Sequence, residues 1–305
     1  MDRSSNRYVI VTPVRNEIAH VAGTLHSMRS QTILPVRWFI VDDGSTDGTT
    51  DLLKAAAAEC PWIKIVQRAD RGMRVAATGV MEAVYDGLDA LDVTDWDFLV
   101  KLDGDLSFAP DYFEKCFEAF DADPKLGIAG GVICHETDGV LEAEVTQKFH
   151  VRGATKIYRR PCWDALGGLV KAPGWDTVDE LKANMLGWRT YTLDGLNLIH
   201  HRRTGAADGN WKNNFKDGIA DYVSAYHPLF MVLKCVKRLF RRPVLVGSAG
   251  LLAGFIAGYR RRLPRAEEDV IRFVRGHQLR RLMFRKSLWT GTREISDTPK
   301  TQEQH

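Results

Sequence analysis

The stretch "RWFIVDDGSTDGTTDLLKAAAAEC", residues 37–60, decides the fold. Residues 37–41 form an apolar, β-prone run that reads as a buried strand. The run stops on two adjacent carboxylates, Asp42 and Asp43, and a Gly/Ser/Thr turn leads into a helical pattern over residues 46–60. Ser45, Thr46 or Asp47 is available to cap that helix. The question is what a strand ending on paired acids serves.

Outward from this unit the same alternation recurs. Residues 8–12 ("YVIVT") read as a strand, and Ile18, Val21, Ala22, Leu25 and Met28 then fall at helical spacing. Residues 63–66 ("IKIV") make a third strand, "VAATGVMEAVYDGL" a further helix, and residues 97–102 ("DFLVKL") a fourth strand. Strand and helix in alternation predict an α/β, Rossmann-like mixed but mostly parallel sheet flanked by helices. In such sheets ligands bind beyond the carboxyl ends of the strands. Three polar clusters sit at those ends: "TPVRNE", "DDGSTD" and "DGD".

The 305 residues, 45% hydrophobic and 27% charged, fit a globular chain with a substantial core. Five scattered cysteines without a CxxC pair argue against a disulfide framework or a structural zinc site, and for a reducing compartment. The N-terminal "MDRSSNRYVIVTP" lacks the apolar stretch of a signal peptide. A net charge of +3 hides an asymmetry: residues 228–305 hold 17 Lys/Arg against 6 Asp/Glu, leaving 25 against 33 in residues 1–227. A basic tail on an acidic body predicts an anionic partner for the tail.

In "KLDGDLSF", Asp103 and Asp105 flank a glycine at a strand end, so both carboxylates can approach one hard cation such as Mg²⁺ or Mn²⁺. "TPVRNE", "VDDGSTDGT", the Asp-Arg-Gly of "RADRG", "LDGD", the Gly-Gly of "WDALGGL" and a later acidic helix with "GW" follow in that order. Over residues 7–205 this series resembles the inverting family 2 glycosyltransferases of the GT-A fold. The resemblance implies a nucleotide-sugar donor lying across the first strand ends. Pro13, Asn16 and Glu17 would line its base and ribose, and Asp42 or Asp43 would accept a hydrogen bond from the base. Arg71, with Arg74 beside it, would face the diphosphate. Asp105 and Asp103 match the family's DxD element, Asp105 as direct metal ligand and Asp103 nearer the ribose or sugar. His201 or His200, from "IHHRR", would complete the metal site.

An inverting transfer needs a carboxylate to deprotonate the acceptor hydroxyl. "WDTVDELKANMLGW" offers Asp176, Asp179 and Glu180, departing from the family's usual spacing. Asp179 is favoured, and Trp175 could stack on a sugar ring. Lys156, Arg159 and Arg160 would border an anionic or pyrophosphate-linked lipid acceptor, in a segment starting at Lys148.

After residue 228 the chain turns apolar and basic. "PLFMVLKCVKRLF" has the pattern of a helix lying in a membrane interface. Residues 243–259 are 17 apolar or small residues, at the lower limit for spanning a bilayer, with Gly247, Gly250, Gly254 and Gly258 suited to close helix packing. The expectation is a GT-A domain over 1–227 and a helical, membrane-associating segment over 228–305. The enzyme would sit in the cytoplasm on the inner face of the cell membrane. There it would transfer sugar to a lipid-linked or polysaccharide acceptor of a surface glycan; nucleic acid is not expected, as no recognised module is present. Two rival readings fare worse. A Rossmann oxidoreductase requires GxGxxG where this chain has "TPVRNE". A silent membrane-associated nucleotide-sugar binder would not need the acids at 103, 105 and 176–180.

Overall fold

The alternation at the start of the chain becomes a parallel block. Strands β1 (Tyr8–Val14), β2 (Arg37–Asp42), β3 (Ile63–Gln67) and β4 (Phe98–Leu102) lie in the order β3-β2-β1-β4, all parallel. Their crossovers carry α1 (Val21–Arg29), α2 (Thr49–Glu59) and α3 (Thr78–Asp89). The computed structural model describes residues 6–70, 72, 78–137, 139–144, 146–147, 149–202, 209–239 and 245–290.

Beyond β4 the sheet becomes mixed. The elements are β5 (Leu106–Phe108), α4 (Tyr112–Ala122), β6 (Leu126–Thr137), β7 (Val140–Ala143), β8 (Thr155–Arg159), α5 (Arg160–Leu166), α6 (Trp175–Met185) and β9 (Arg189–His200). The path continues β4-β8-β6-β9-β5, with β7 hairpinned onto β6. β8 runs antiparallel to β4 and β6, β5 antiparallel to β9, and β6 parallel to β9. Short links such as that from β6 to β7 permit only antiparallel pairing, since a parallel pair needs a long crossover.

Side chains alternate across the sheet as a period of two requires. Tyr8, Ile10 and Val14 face the layer of α1, α2 and α4 with Phe113 and Phe117, while Val9 and Val11 face α3, α5 and α6. Helix α2 begins differently from the sequence expectation. Its N-cap is Gly48 at φ 94°, and Asp47 instead accepts from Thr49 N (3.0 Å) and Oγ1 (2.6 Å).

The remaining helices are α7 (Gly209–Val223), α8 (Pro228–Arg238), α9 (Val246–Arg260) and α10 (Glu268–Leu282). They share one hydrophobic cluster with α6, through Val178, Leu181, Val223, Leu251, Phe255 and Val274. The glycines of α9 serve this packing: Gly250, Gly254 and Gly258 lie against Trp211, Phe215 and Tyr222 of α7, with no room for a Cβ at Gly254 or Gly258. Among the described residues no helix is long and apolar enough to cross a membrane. The 15 residues of α9 rise only about 22 Å against about 30 Å of hydrocarbon.

Candidate active site

The turn after β2 first does structural work for the loop after β1. Asn16 sits at φ 52°, its Oδ1 accepting from Thr46 N (2.8 Å) and its own N–H donating to Ser45 Oγ (3.0 Å). Glu17 N donates to Thr49 Oγ1 (2.9 Å) and Ile18 N to Asp47 Oδ2 (3.1 Å). The polar residues of "GSTDGTT" thus stitch two strand-end loops into one rim. Pro13 lies half-buried in β1 at the base of that rim.

Asp42 and Asp43 have separate fates. Asp42 is fully buried; its oxygens accept from Ser45 N (3.0 Å) and Thr50 Oγ1 (2.5 Å) and hold the turn closed. Asp43 pairs with Arg68 (2.7 Å), which also reaches Asp86 (2.6 Å). Arg15, another residue the sequence reading passed over, donates to the Asp43 carbonyl and pairs with Asp70 (2.7 Å). Gly44 must pass Asp70 so closely that a Cβ would come within 2.8 Å of its backbone nitrogen. Arg71, Arg74 and Lys148 lie outside the described residues.

At the end of β4 the backbone turns through Gly104, where a Cβ would stand 2.6 Å from Val14 Cγ1. The turn feeds β5, whose Leu106 pairs with His200 at the end of β9. This register brings His200 to the aspartates. Asp103, Asp105 and His200 place ligand atoms within 4.8 Å of one another, the one such metal-capable group among the described residues. His200 Nε2 lies 3.2 Å from Asp105 Oδ1, while its Nδ1 is buried without a hydrogen-bond partner among the described residues. Burial works to lower the His200 pKa, but the Asp105 hydrogen bond and charge, helped by Asp103 and Glu144, raise it overall.

Of the two histidines offered by the sequence, it is His200 that joins the aspartates. His201 turns aside, with Nε2 2.7 Å from Ser107 Oγ and its ring stacked on His20. Arg202 then reaches back to Glu17 (2.7 Å), tying the end of β9 to the rim. Two carboxylates and an imidazole within reach of one point are a donor set suited to Mn²⁺ or a similar divalent ion. Lys101, buried in β4, donates to Asp103 Oδ1 and to the Gly153 carbonyl (2.6 Å).

Gly153 carries the site over to α6. Asp103 N donates to Ala154 O (2.8 Å), and a Cβ on Gly153 would lie 3.0 Å from Asp176 Oδ2. Asp176 opens α6 and keeps partial exposure. Burial pushes its carboxyl up, but His150, Lys156, Arg152 and Lys101 outweigh that and hold it below the usual range.

Asp179 and Glu180 stand in a different setting. Asp179 is 3% exposed, accepting from Lys156 Nζ (2.8 and 2.9 Å) and Tyr158 OH (2.5 Å). Burial raises its pKa to about 6 despite Lys156. Glu180 is fully buried against Lys156 (2.7 Å), Val151 N (2.7 Å) and His150 Nδ1 (2.8 Å).

Three expectations on the acceptor side fail. Lys156 is fully buried and bound to the acids of α6. Arg159 donates to Leu126 O (2.9 Å) and Arg160 to Trp96 O (3.2 Å), both at the amino end of β4, because Phe98 pairs with Arg159. Trp175 is 7% exposed with the Lys101 and Lys156 ammonium groups each 5.6 Å from its ring, so it is no open platform for a sugar.

Comparison with known proteins agrees with this geometry. Residues 9–170 match the family described as Glycosyl transferase family 2. The succinoglycan biosynthesis protein ExoA of Rhizobium meliloti is 32% identical over 238 residues, 68% of this chain and 67% of that protein. The uncharacterized glycosyltransferase YibD of Escherichia coli is 28% identical over 126 residues, 38% of this chain and 37% of that protein. Among solved structures, the mannosyltransferase PcManGT of Pyrobaculum calidifontis superposes with a TM-score of 0.54 at 16% identity, over 90% of this chain and 80% of that one. GalNAc-T7 superposes with a TM-score of 0.59 at 12% identity, over 89% and 57%. At such identities the likeness is one of fold, here the GT-A fold. The chain is a glycosyltransferase and belongs to glycosyltransferase family 2.

Proposed function

We propose that this enzyme moves a sugar from a nucleotide-sugar donor to a hydroxyl of a lipid-linked or polysaccharide acceptor, in one displacement with inversion. One observation carries the reading. The metal-capable Asp103/Asp105/His200 group and the ionised Asp176 both adjoin Gly153, whose carbonyl shares Lys101 with Asp103 and whose Cβ position lies 3.0 Å from Asp176 Oδ2. Structures of the same fold hold GDP-mannose with Mn²⁺, and UDP and GalNAc with Mn²⁺, in keeping with this chemistry.

In this scheme the donor's base lies along the rim of Asn16 and Glu17. Asp42 or Asp43 reads the base, the oxygens of Asp42 also closing the turn and Asp43 also pairing with Arg68. Asp105, Asp103 and His200 would hold a divalent metal. When bound, such an ion supplies Lewis-acid stabilisation of charge on the departing nucleoside diphosphate. Asp176 accepts the proton of the acceptor hydroxyl as its oxygen bonds to the anomeric carbon and the bond to the diphosphate oxygen breaks. A depressed pKa keeps Asp176 ready to accept that proton, whereas Asp179 and Glu180 are occupied by Lys156.

Donor turnover with Mn²⁺ tests the assignment. Asp105→Ala should abolish metal-dependent donor hydrolysis and transfer together. Asp176→Asn should lower transfer by about 10²–10⁴-fold with nucleotide affinity unchanged. Transfer retained by Asp176→Asn but lost by Asp179→Asn would overturn the choice of base, and a product of retained anomeric configuration would overturn inversion.

A further inference from the structure

Helix α8 has one side spent on the fold and one side unspent. Met231 and Cys235 are buried in the cluster shared with α7, α9 and α10, and Lys234 is neutralised by Asp221 at 2.7 Å. His227 caps the helix, its ring nitrogen accepting from Leu229 N at 3.1 Å, so the helix is firmly started. The opposite side presents Leu229, Val232, Leu233 and Val236, each between 44% and 50% exposed. Positions i, i+3, i+4 and i+7 make a single row on a helix.

The charges that α8 and α9 themselves carry are of one sign. Residues 228–260 contain no Asp or Glu at all, whereas Lys237, at the end of the row, and Arg260, at the end of α9, are exposed cations. An ordinary solvated helix face would mix polar and acidic side chains. An apolar row on a helix that itself carries cations and no acids complements a surface that is apolar below and anionic above.

We propose that this face of α8 docks the enzyme on an anionic phospholipid bilayer, the helix lying along the interface with its four apolar side chains among the acyl chains. Two facts favour a bilayer over a second copy of the chain. The row lies on one 11-residue helix, about 16 Å long and about 10 Å wide, a footprint of about 160 Å² where a stable protein interface buries roughly 1,000 Å². An anionic lipid surface also gains from each cation near it, which a second copy carrying the same cations does not supply. The α8 platform is tied to the catalytic wall: α9 packs on α7, and α7 packs on α6 where Gly174 meets Ala220. A lipid-linked acceptor would thereby be met by an enzyme already on its membrane. The proposal rests on the lipid-linked reading of the acceptor for its purpose, while its test reads membrane binding with no acceptor present.

The experiment is co-sedimentation of the full chain with vesicles of phosphatidylcholine alone or with 30 mol% phosphatidylglycerol. The wild type should bind the anionic vesicles and bind the neutral ones much more weakly. Leu233→Glu with Val236→Glu should lower the partition coefficient at least tenfold. Lys237→Gln should lower it about fivefold on anionic vesicles only, the factor expected for one cation near such a surface. All these residues are exposed, so the variants should keep the wild-type melting temperature and nucleotide binding, which separates loss of docking from loss of the site. Wild type that stays in the supernatant with anionic vesicles overturns the proposal, as do variants that bind as well as wild type. A dimer in sedimentation equilibrium that the Leu233/Val236 variant dissolves, with vesicle binding unchanged, would assign the face to a second copy and equally overturn it.

Discussion

Replacing Lys156 by Met should unbalance the wall that carries Asp176. The ammonium is fully buried and donates to the Asp176 carbonyl (2.5 Å) and to Asp179 (2.8 and 2.9 Å), and it pairs with Glu180 (2.7 Å). Its removal leaves two buried carboxylates with, among the described residues, only His150 as a cation in contact with either. Removing one partner of a buried ion pair costs about 3–5 kcal/mol. Methionine fills a similar volume, so the loss is electrostatic rather than a cavity. The loss must also depend on pH. Asp179 already has a folded pKa of about 6 against an ordinary 3.8, so the folded state holds more protons than the unfolded one between those values. Such a group lends stability that grows as pH falls and is lost as pH rises through its folded value. Without Lys156, whose charge holds it down, the folded value of Asp179 climbs further. The deficit should therefore be full at pH 8 and shrink by about 1.4 kcal/mol per pH unit once protons begin to bind. Equilibrium urea unfolding at pH 8 and pH 5.5, read by tryptophan fluorescence, measures both. A deficit under about 1 kcal/mol at pH 8, against the 3–5 expected, or one that grows on acidification, would refute the argument.

Gly104→Ala should destabilise by about 1–3 kcal/mol, the usual cost of overpacking, because its Cβ would stand 2.6 Å from Val14 Cγ1; thermal melts would register it, and metal-dependent turnover should fall with it. Transfer by the wild type should persist below the pH at which an ordinary aspartate protonates, because cations hold Asp176 ionised. The acid limb of the pH–rate profile should move upward in Lys156→Met, and an unmoved limb would exclude Asp176 as the titrating base.

The first half of the fold was legible because each strand there has its own apolar run and each crossover its own helical period. The mixed region was less so, because the order of β8, β6, β9 and β5 is set by long-range register, such as Leu106 against His200, which leaves no local mark. The same limit governs the site. Asp103 and Asp105 announce themselves by spacing and a glycine, whereas their partnership with His200 rather than His201 depends on which face of β9 meets β5. Arg15, Arg68, Lys101 and His150 are common residue types made important by what folds against them. For Lys156, Arg159 and Arg160 the sequence showed three cations together; alternation along β8 and its pairing with β4 bury one and send the others to the far edge. The glycines of α9 read equally well as a membrane pattern and as a seat for α7, and only the packing separates the two.

The central claim, a nucleotide site completed by a divalent metal on Asp103, Asp105 and His200, is tested most directly by a thermal-shift screen. Wild type and Asp105→Ala would each be melted with GDP, UDP, ADP, CDP and TDP, with and without Mn²⁺. At about a hundredfold excess over its dissociation constant a ligand contributes about 2.7 kcal/mol, a shift of about 4 °C for a chain of this size. The account predicts that one of these nucleotides gives such a shift in wild type only with Mn²⁺ present, and that Asp105→Ala loses it. No shift with any of them, or a shift indifferent to both the metal and Asp105, would contradict it.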